Sequence, residues 1–179
     1  MSDAQPDDLP FSHVIEVAAI APEGERVELV PDEVTRTRLA AVADVVAIPA
    51  LKVQFDVRPA DAGGAVVLGK LEGVVRQVCV VSLDEFDNPV AEEFAVDFAV
   101  DPERMEIDDE EGEDLPDPII DGKIDLGALA TEFLILAVDP YPRKPGVEFS
   151  GLSSDEAAPE PKRSPFEQLS GLKDRIKKQ

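Results

Sequence analysis

The chain has 179 residues, enough for one domain with appended segments, and 39 acidic against 17 basic residues give it a formal net charge of −22. A surface this negative repels nucleic acid and anionic lipid over most of its area, and it attracts basic partners. One cysteine excludes an intramolecular disulfide, and the lack of a signal sequence or a long apolar segment predicts a cytoplasmic protein with no membrane contact.

The first part of the chain predicts one strand and one helix after a flexible N-terminus, residues 1–10. Residues 11–21 alternate and contain β-branched side chains, which is typical of a strand. A helix is predicted to follow with Pro31 in its first turn, where Asp32 and Glu33 suit the positive end of the helix dipole. The side chains expected on its buried face are Val34, Leu39 and Val42.

Three further apolar segments predict an antiparallel sheet. Residues 50–58 alternate cleanly, and the side chains that point one way are Leu51, Val53, Phe55 and Val57. Turn residues at 61–64 precede one long strand or a pair of strands over 65–83. Residues 90–100 form another strand, whose shared face holds Phe94, Val96 and Phe98. Short turns between successive strands favour antiparallel pairing.

An acidic stretch follows, in which ten of the seventeen residues from 101 to 117 are Asp or Glu. A calcium loop with Gly112 at its sixth position needs an oxygen ligand first and a glutamate twelfth, where the sequence has Ile107 and Pro118. The favoured interpretation is a solvated, self-repelling loop over 102–116 that binds no divalent ion tightly. Attraction of a basic partner stays open as the alternative.

The segment after the acidic stretch predicts a second helix with Asp125 as its N-cap. Apolar side chains recur at helical spacing at Leu126, Leu129, Phe133 and Leu136. Gly127 costs about 1 kcal/mol relative to alanine, so burial has to stabilise this helix, and Pro140 and Pro142 end it. The predicted fold class is α+β: a single domain over 11–149 with an antiparallel β-sheet, about two helices and the acidic loop.

The C-terminal region predicts a flexible linker over 150–163 and a basic amphipathic helix over 164–178. A capping box of Ser164, Pro165 and Glu167 marks the helix start. The last eighteen residues carry a net charge of +4, which leaves −26 on the rest of the chain. The candidate partner-binding residues are the apolar stripe and clustered bases of this helix: Phe166, Leu169, Leu172, Lys173, Arg175, Ile176, Lys177 and Lys178. The acidic body, RNA and a partner protein all stay open as what this helix contacts.

The other candidate sites argue against an enzyme. His13 is the only histidine, so a hydrolase triad or a zinc site lacks its usual groups, and no glycine-rich phosphate-binding loop is present. Cys79 lies among apolar neighbours with only Arg76 close in sequence, which favours a buried side chain without catalytic duty. The sequence therefore predicts no catalytic residue, no cofactor and no metal site.

The order of the segments resembles the YceD family of bacterial and plastid proteins, in the form typical of alphaproteobacteria. The resemblance covers residues 65–149 best, where an aspartate-leucine helix start, Glu132 within the helix and prolines directly after it match the family. Cys79 matches the first cysteine of a Cys-x-Arg-Cys motif found in many members. Val81 and Ser82 replace the arginine and the second cysteine, so a metal or redox role of that motif does not carry over.

The resemblance implies a non-enzymatic ribosome-biogenesis factor that supports accumulation of large-subunit (23S) ribosomal RNA. Its partner is then large-subunit ribosomal RNA or a basic ribosomal protein, and the sequence does not decide between them. The sequence also leaves the oligomeric state open. The alternative function is a generic acidic binding protein that holds a basic protein partner and has no ribosome role.

Overall fold

A computed structural model describes residues 10–102 and 115–148. The chain divides into two compact units, Met1–Val147 and Glu148–Gln179, and nearly all described residues belong to the first. These described residues form seven strands and two α-helices: β1 (Val14–Glu16), β2 (Glu25–Leu29), α1 (Glu33–Val42), β3 (Ala47–Pro59), β4 (Ala65–Val78), β5 (Glu85–Ala99), β6 (Asp117–Pro118), β7 (Lys123–Asp125) and α2 (Leu126–Ala137).

Five strands form one sheet in the order β2-β3-β4-β5-β6. The strands from β2 to β5 pair antiparallel with their neighbours, whereas β6 pairs parallel to the end of β5 over two residues. A separate antiparallel pair, β1 and β7, lies beside the start of α2, where the Leu126 N–H donates to the His13 carbonyl at 2.9 Å. The predicted α+β class with a mostly antiparallel sheet and two helices is confirmed.

The hydrophobic core combines one face of the sheet with buried residues of both helices. Alternate side chains of β3 and β4 are at most 3% exposed there: Leu51, Val53, Phe55, Val57, Ala65, Val67, Leu71 and Val75. The alternation predicted over 50–58 is confirmed, and the segment from 65 forms one long strand rather than two. Phe94 of β5 stacks on Phe133 of α2 with ring centroids 3.6 Å apart. Gly69 makes room for this pair, because a Cβ there would overlap the Phe94 ring.

Both helices begin on an aspartate that caps backbone N–H groups. Asp32 accepts a hydrogen bond from the Thr35 N–H at 2.8 Å, so α1 starts at the next residue and Pro31 precedes the helix instead of lying in its first turn. Asp125 caps α2 as predicted. Gly127 offsets its cost to the helix by a close approach, since a Cβ there would come within 2.6–2.7 Å of the backbone of residues 12–13.

The face predicted for α1 is wrong at two of its three positions. Val34 and Val42 are 62% and 51% exposed, and only Leu39 is buried. The side of the helix that faces β3 is instead shared by Arg36, whose Nε donates to the Ile48 carbonyl at 3.0 Å. The helical spacing predicted Val34 and Val42 on this side. The structure instead has the Arg36 guanidinium there, which donates hydrogen bonds to backbone carbonyls.

The face predicted for α2 is partly correct. Leu126 and Leu129 are buried and Phe133 is half-buried, but Leu136 is 68% exposed and Leu134 is the buried residue of the last turns. The chain just before β1 lies against the first turn of α2, at Leu126 and Gly127. Leu136 lies seven residues further along the same side of the helix, and only the side toward the sheet is covered there.

The strand predicted over 11–21 is shorter than expected, because only β1 is extended and a 3₁₀ turn follows at Val17–Ala19. The sequence reading also missed β2. Three of the five residues of β2 are charged, and its two apolar side chains, Val27 and Leu29, are too few to mark a strand by alternation.

Candidate functional site

The partner-binding helix predicted over 164–178 lies outside the described residues, and so do residues 103–114 of the acidic stretch. Both therefore stay predictions. Two places in the described ranges carry chemistry: the charged outer face of the sheet, on the side away from α2, and the turn over residues 79–84 between β4 and β5.

The outer face of the sheet carries bases and acids in alternation with the core side chains. Five bases from β2, β3 and β4 point to this side, and each forms an ion pair with a carboxylate of the same face: Arg26 with Asp56 (3.6 Å), Lys52 with Glu28 (2.9 Å), Arg58 with Asp56 (2.8 Å), Lys70 with Glu72 (3.0 Å) and Arg76 with Asp87 (2.7 Å).

The pairs at Asp56 and Asp87 favour the charged form of these two carboxylates. The hydrogen bond from Arg58 lowers the pKa of Asp56, and the hydrogen bond from Arg76 lowers the pKa of Asp87. Such exposed pairs contribute little to stability. They do change how the surface attracts anions, because a base that is already paired with a carboxylate attracts a phosphate group less strongly.

The turn between β4 and β5 encloses the sulfur of Cys79, which is fully buried as predicted. Its Sγ accepts hydrogen bonds from three backbone N–H groups, those of Lys144 at 3.3 Å, Val81 at 3.4 Å and Ser82 at 3.5 Å. Two donors come from the turn itself, and the third comes from the segment after α2. The sulfur thus joins two parts of the chain.

The donors around the sulfur stabilise its thiolate. The backbone N–H of Ser82 has the largest effect, the Lys144 N–H follows, and the pKa of Cys79 falls from 9.0 to about 6 although burial opposes the shift. A fully buried thiolate is closed to a substrate, so this geometry supports a structural contact more than a nucleophile. Within the described ranges, no three His, Cys, Asp or Glu side chains gather to hold a metal ion.

Polar side chains tie the segment after α2 to the same end of the sheet. Gln77 donates to the Asp139 carbonyl at 2.8 Å and accepts from Asn88 at 3.1 Å, while Lys144 pairs with Asp84 at 3.2 Å. The sequence analysis did not find these residues. One sequence feature could have indicated this contact. Gln77 is polar, yet it lies on the side of β4 that otherwise carries apolar residues: Ala65, Val67, Leu71 and Val75.

A comparison with protein families gives a match over much of the chain. The family described as Large ribosomal RNA subunit accumulation protein YceD matches residues 67–173, more than half of the 179 residues. The chain belongs to the YceD family. The YceD region begins within β4 and takes in the Cys79 turn, β5, α2 and most of the predicted C-terminal helix. No curated protein and no solved structure matches the chain.

The YceD family description connects this chain with ribosome biogenesis, through accumulation of large-subunit ribosomal RNA. In the described parts of the chain, neither helix has the length and apolar character that a membrane crossing requires.

Proposed function

We propose that this YceD-family protein is a non-enzymatic, cytoplasmic factor that supports accumulation of large-subunit ribosomal RNA by binding a basic ribosomal protein. The observation that favours protein over RNA as the partner of the folded body is the outer face of the sheet. Its five bases are paired with carboxylates, and the chain outside the last eighteen residues carries −26. A body of this charge repels phosphate and attracts a basic protein.

The predicted basic helix over 164–178 adds a second contact to this proposal. Its apolar stripe and its bases, from Phe166 to Lys178, would bind the same precursor particle, with the linker over 150–163 giving it reach. The apolar side chains should contribute as much as the charges, because exposed ion pairs alone stabilise a complex by only about 0–1 kcal/mol.

Capture of partners from a lysate, with and without nuclease treatment, tests the proposal. We expect large-subunit ribosomal proteins to remain bound after nuclease digestion. Loss of every large-subunit protein on digestion would show that RNA is the direct partner. Retention of a basic protein that is foreign to the ribosome would favour a generic acidic binding protein instead.

A further inference from the structure

In the described parts of the chain, the edge of the sheet beyond β5 is unpaired over most of its length. β5 has fifteen residues and pairs with β4 along nearly all of them, from Glu85 to Phe98. On its other side it pairs with β6 only at Phe98 and Ala99. Among the described residues, no backbone group bonds to that side of β5 before the carbonyl of residue 97. An unpaired strand edge is a template for another strand.

Two observations identify the residues whose backbone N–H and C=O groups point to the open side. In an antiparallel strand without a bulge, successive residues turn their N–H and C=O groups to opposite sides. Pro89 has no N–H to give β4, so its nitrogen faces outward. The Ala99 carbonyl also faces outward, since it accepts from the Ile119 N–H at 2.8 Å. Both positions are odd-numbered and the register between them is continuous. The backbone N–H and C=O groups of residues 91, 93, 95 and 97 therefore also point outward.

These residues define a bounded slot over 91–97, about 20 Å long at the usual rise of a strand. Pro89 ends it on one side because a partner strand finds no donor there, and β6 ends it on the other. Residues 91, 93 and 95 each offer one N–H and one C=O. Residue 97 offers its N–H, because its C=O serves the pairing of Phe98 with Asp117 of β6. A strand of about seven residues therefore fills the slot.

The side chains along the slot select the chemistry of the incoming strand. On the outer side of the sheet lie Glu93, which also lies 3.8 Å from Lys70, and Asp97. On the core side lie the exposed Glu92 and the half-buried Phe94 and Val96. β5 carries five acids and no base. The strand that fits alternates basic residues, which face the acids, with apolar residues, which cover Phe94 and Val96. A second copy of β5 would bring acid against acid.

We propose that the slot over 91–97 binds an extended basic segment of a partner protein by adding it as a strand to the sheet. This inference rests on the proposed function, for which it names the contact with a basic ribosomal protein. The same slot disfavours RNA, which has no backbone N–H groups for the open carbonyls and meets acids along the outer side.

A seven-residue peptide that alternates lysine and valine is the probe. Added to the isotope-labelled full chain, it should shift the amide resonances of residues 91, 93, 95 and 97 and slow their hydrogen exchange, while those of β2 at the opposite edge stay unchanged. A peptide with glutamate in place of lysine should not bind. Shifts spread evenly over both edges, or an RNA oligonucleotide that competes for the slot, would overturn the proposal.

Ala95→Pro removes one outward donor without breaking a bond to β4, since Pro89 shows that β5 accepts a proline on this side. It should weaken peptide binding about tenfold.

If this variant does not fold, two other tests decide. Glu93→Gln with Asp97→Asn should weaken binding, whereas Glu25→Gln with Glu28→Gln on β2 should not. Methylating alternate amide nitrogens of the peptide should abolish binding for one of the two alternating sets. Unchanged binding by the Glu93→Gln, Asp97→Asn variant or by both methylated peptides contradicts the slot, whereas an unchanged ribosomal RNA ratio in cells lacking the protein contradicts only the proposed function.

Discussion

The side chain of Asp125 holds the start of α2 and the N-terminal part of the chain together. Its Oδ1 accepts from the N–H groups of Gly127 and Ala128, at 2.9 and 3.1 Å, and from the His13 N–H at 2.8 Å. Its Oδ2 accepts from the Ser12 hydroxyl at 2.6 Å. One carboxylate therefore serves as a helix cap and as the anchor of the segment that leads into β1.

We expect Asp125→Ala to lower the free energy of unfolding by about 2–3 kcal/mol, because it removes both a cap and a tertiary anchor. Asp32→Ala is the matched control, since Asp32 caps α1 through the Thr35 N–H. Its loss should be about 1 kcal/mol. Urea titration of both variants measures the difference, and equal losses would show that the anchor to residues 12–13 adds nothing.

Cys79 gives the stability a pH dependence whose sign follows from its pKa. The folded state lowers that pKa from 9.0 to about 6, so the folded thiolate is favoured over the unfolded thiol between these values. The contribution is fully present above about pH 9 and disappears as the pH falls through 6. Cys79→Ser has no thiol to titrate.

We expect the stability advantage of the native chain over Cys79→Ser to grow as the pH rises from about 6 to about 9. Denaturant unfolding of both proteins at a series of pH values measures it. A difference that stays constant across this range would mean that the three N–H groups do not hold a thiolate. Because the sulfur is buried, cells with Cys79→Ala should grow nearly normally.

At the scale of elements, the two leucines near the end of α2 provide a matched pair. Leu134 is fully buried, whereas Leu136 is 68% exposed. Leu134→Ala should therefore lower the free energy of unfolding by about 2–5 kcal/mol, and Leu136→Ala should change it by less than about 0.5 kcal/mol. Thermal or urea unfolding distinguishes them. Similar losses would place both leucines in the core and contradict the face of α2 described above.

The sequence predicts the elements whose packing is regular. The apolar alternation of β3 lies between two paired neighbours with one buried face, so period two is a reliable guide to it. The N-cap of α2 depends only on residues that are adjacent in sequence, so it is equally predictable. The face of α1 was not predictable, because Arg36 satisfies carbonyl groups that only the folded chain brings near. The exposure of Leu136 was not predictable for a similar reason, since tertiary packing decides which side of the last turns of α2 is covered.

The surroundings of Cys79 lie further beyond sequence reasoning. The Lys144 N–H that bonds its sulfur is 65 residues away, and the Gln77 contact to Asp139 spans 62 residues. Local spacing finds motifs within one element, and it has no access to pairs that a fold closes over such distances. The open edge of β5 is likewise visible only once the strand order is known.

For the whole molecule, the uneven charge is the property on which the proposed choice of partner rests. The field of the acidic body is screened beyond about 8–10 Å at physiological salt, so it acts mainly on a partner already close to the surface. Binding of a basic protein should weaken as salt rises, while the apolar contacts of the bound segment persist.

Removal of residues 162–179 tests the proposed part of the basic helix. We expect the remaining chain to fold with unchanged stability, because the compact unit Met1–Val147 contains the core described above. Association with large-subunit precursors should decrease, as followed by gradient sedimentation of lysates. Replacing Phe166 and Leu169 by serine, with all bases retained, separates the apolar contribution from the charge. Normal association after truncation would remove the helix from the proposal and leave the body as the binding part.

The ratio of large-subunit to small-subunit ribosomal RNA in cells that lack the protein tests the central claim most directly. The proposed role in large-subunit accumulation predicts that this ratio falls and that the full-length chain restores it. A ratio that stays balanced in cells without the protein, under conditions where the chain is normally made, would contradict the ribosomal role.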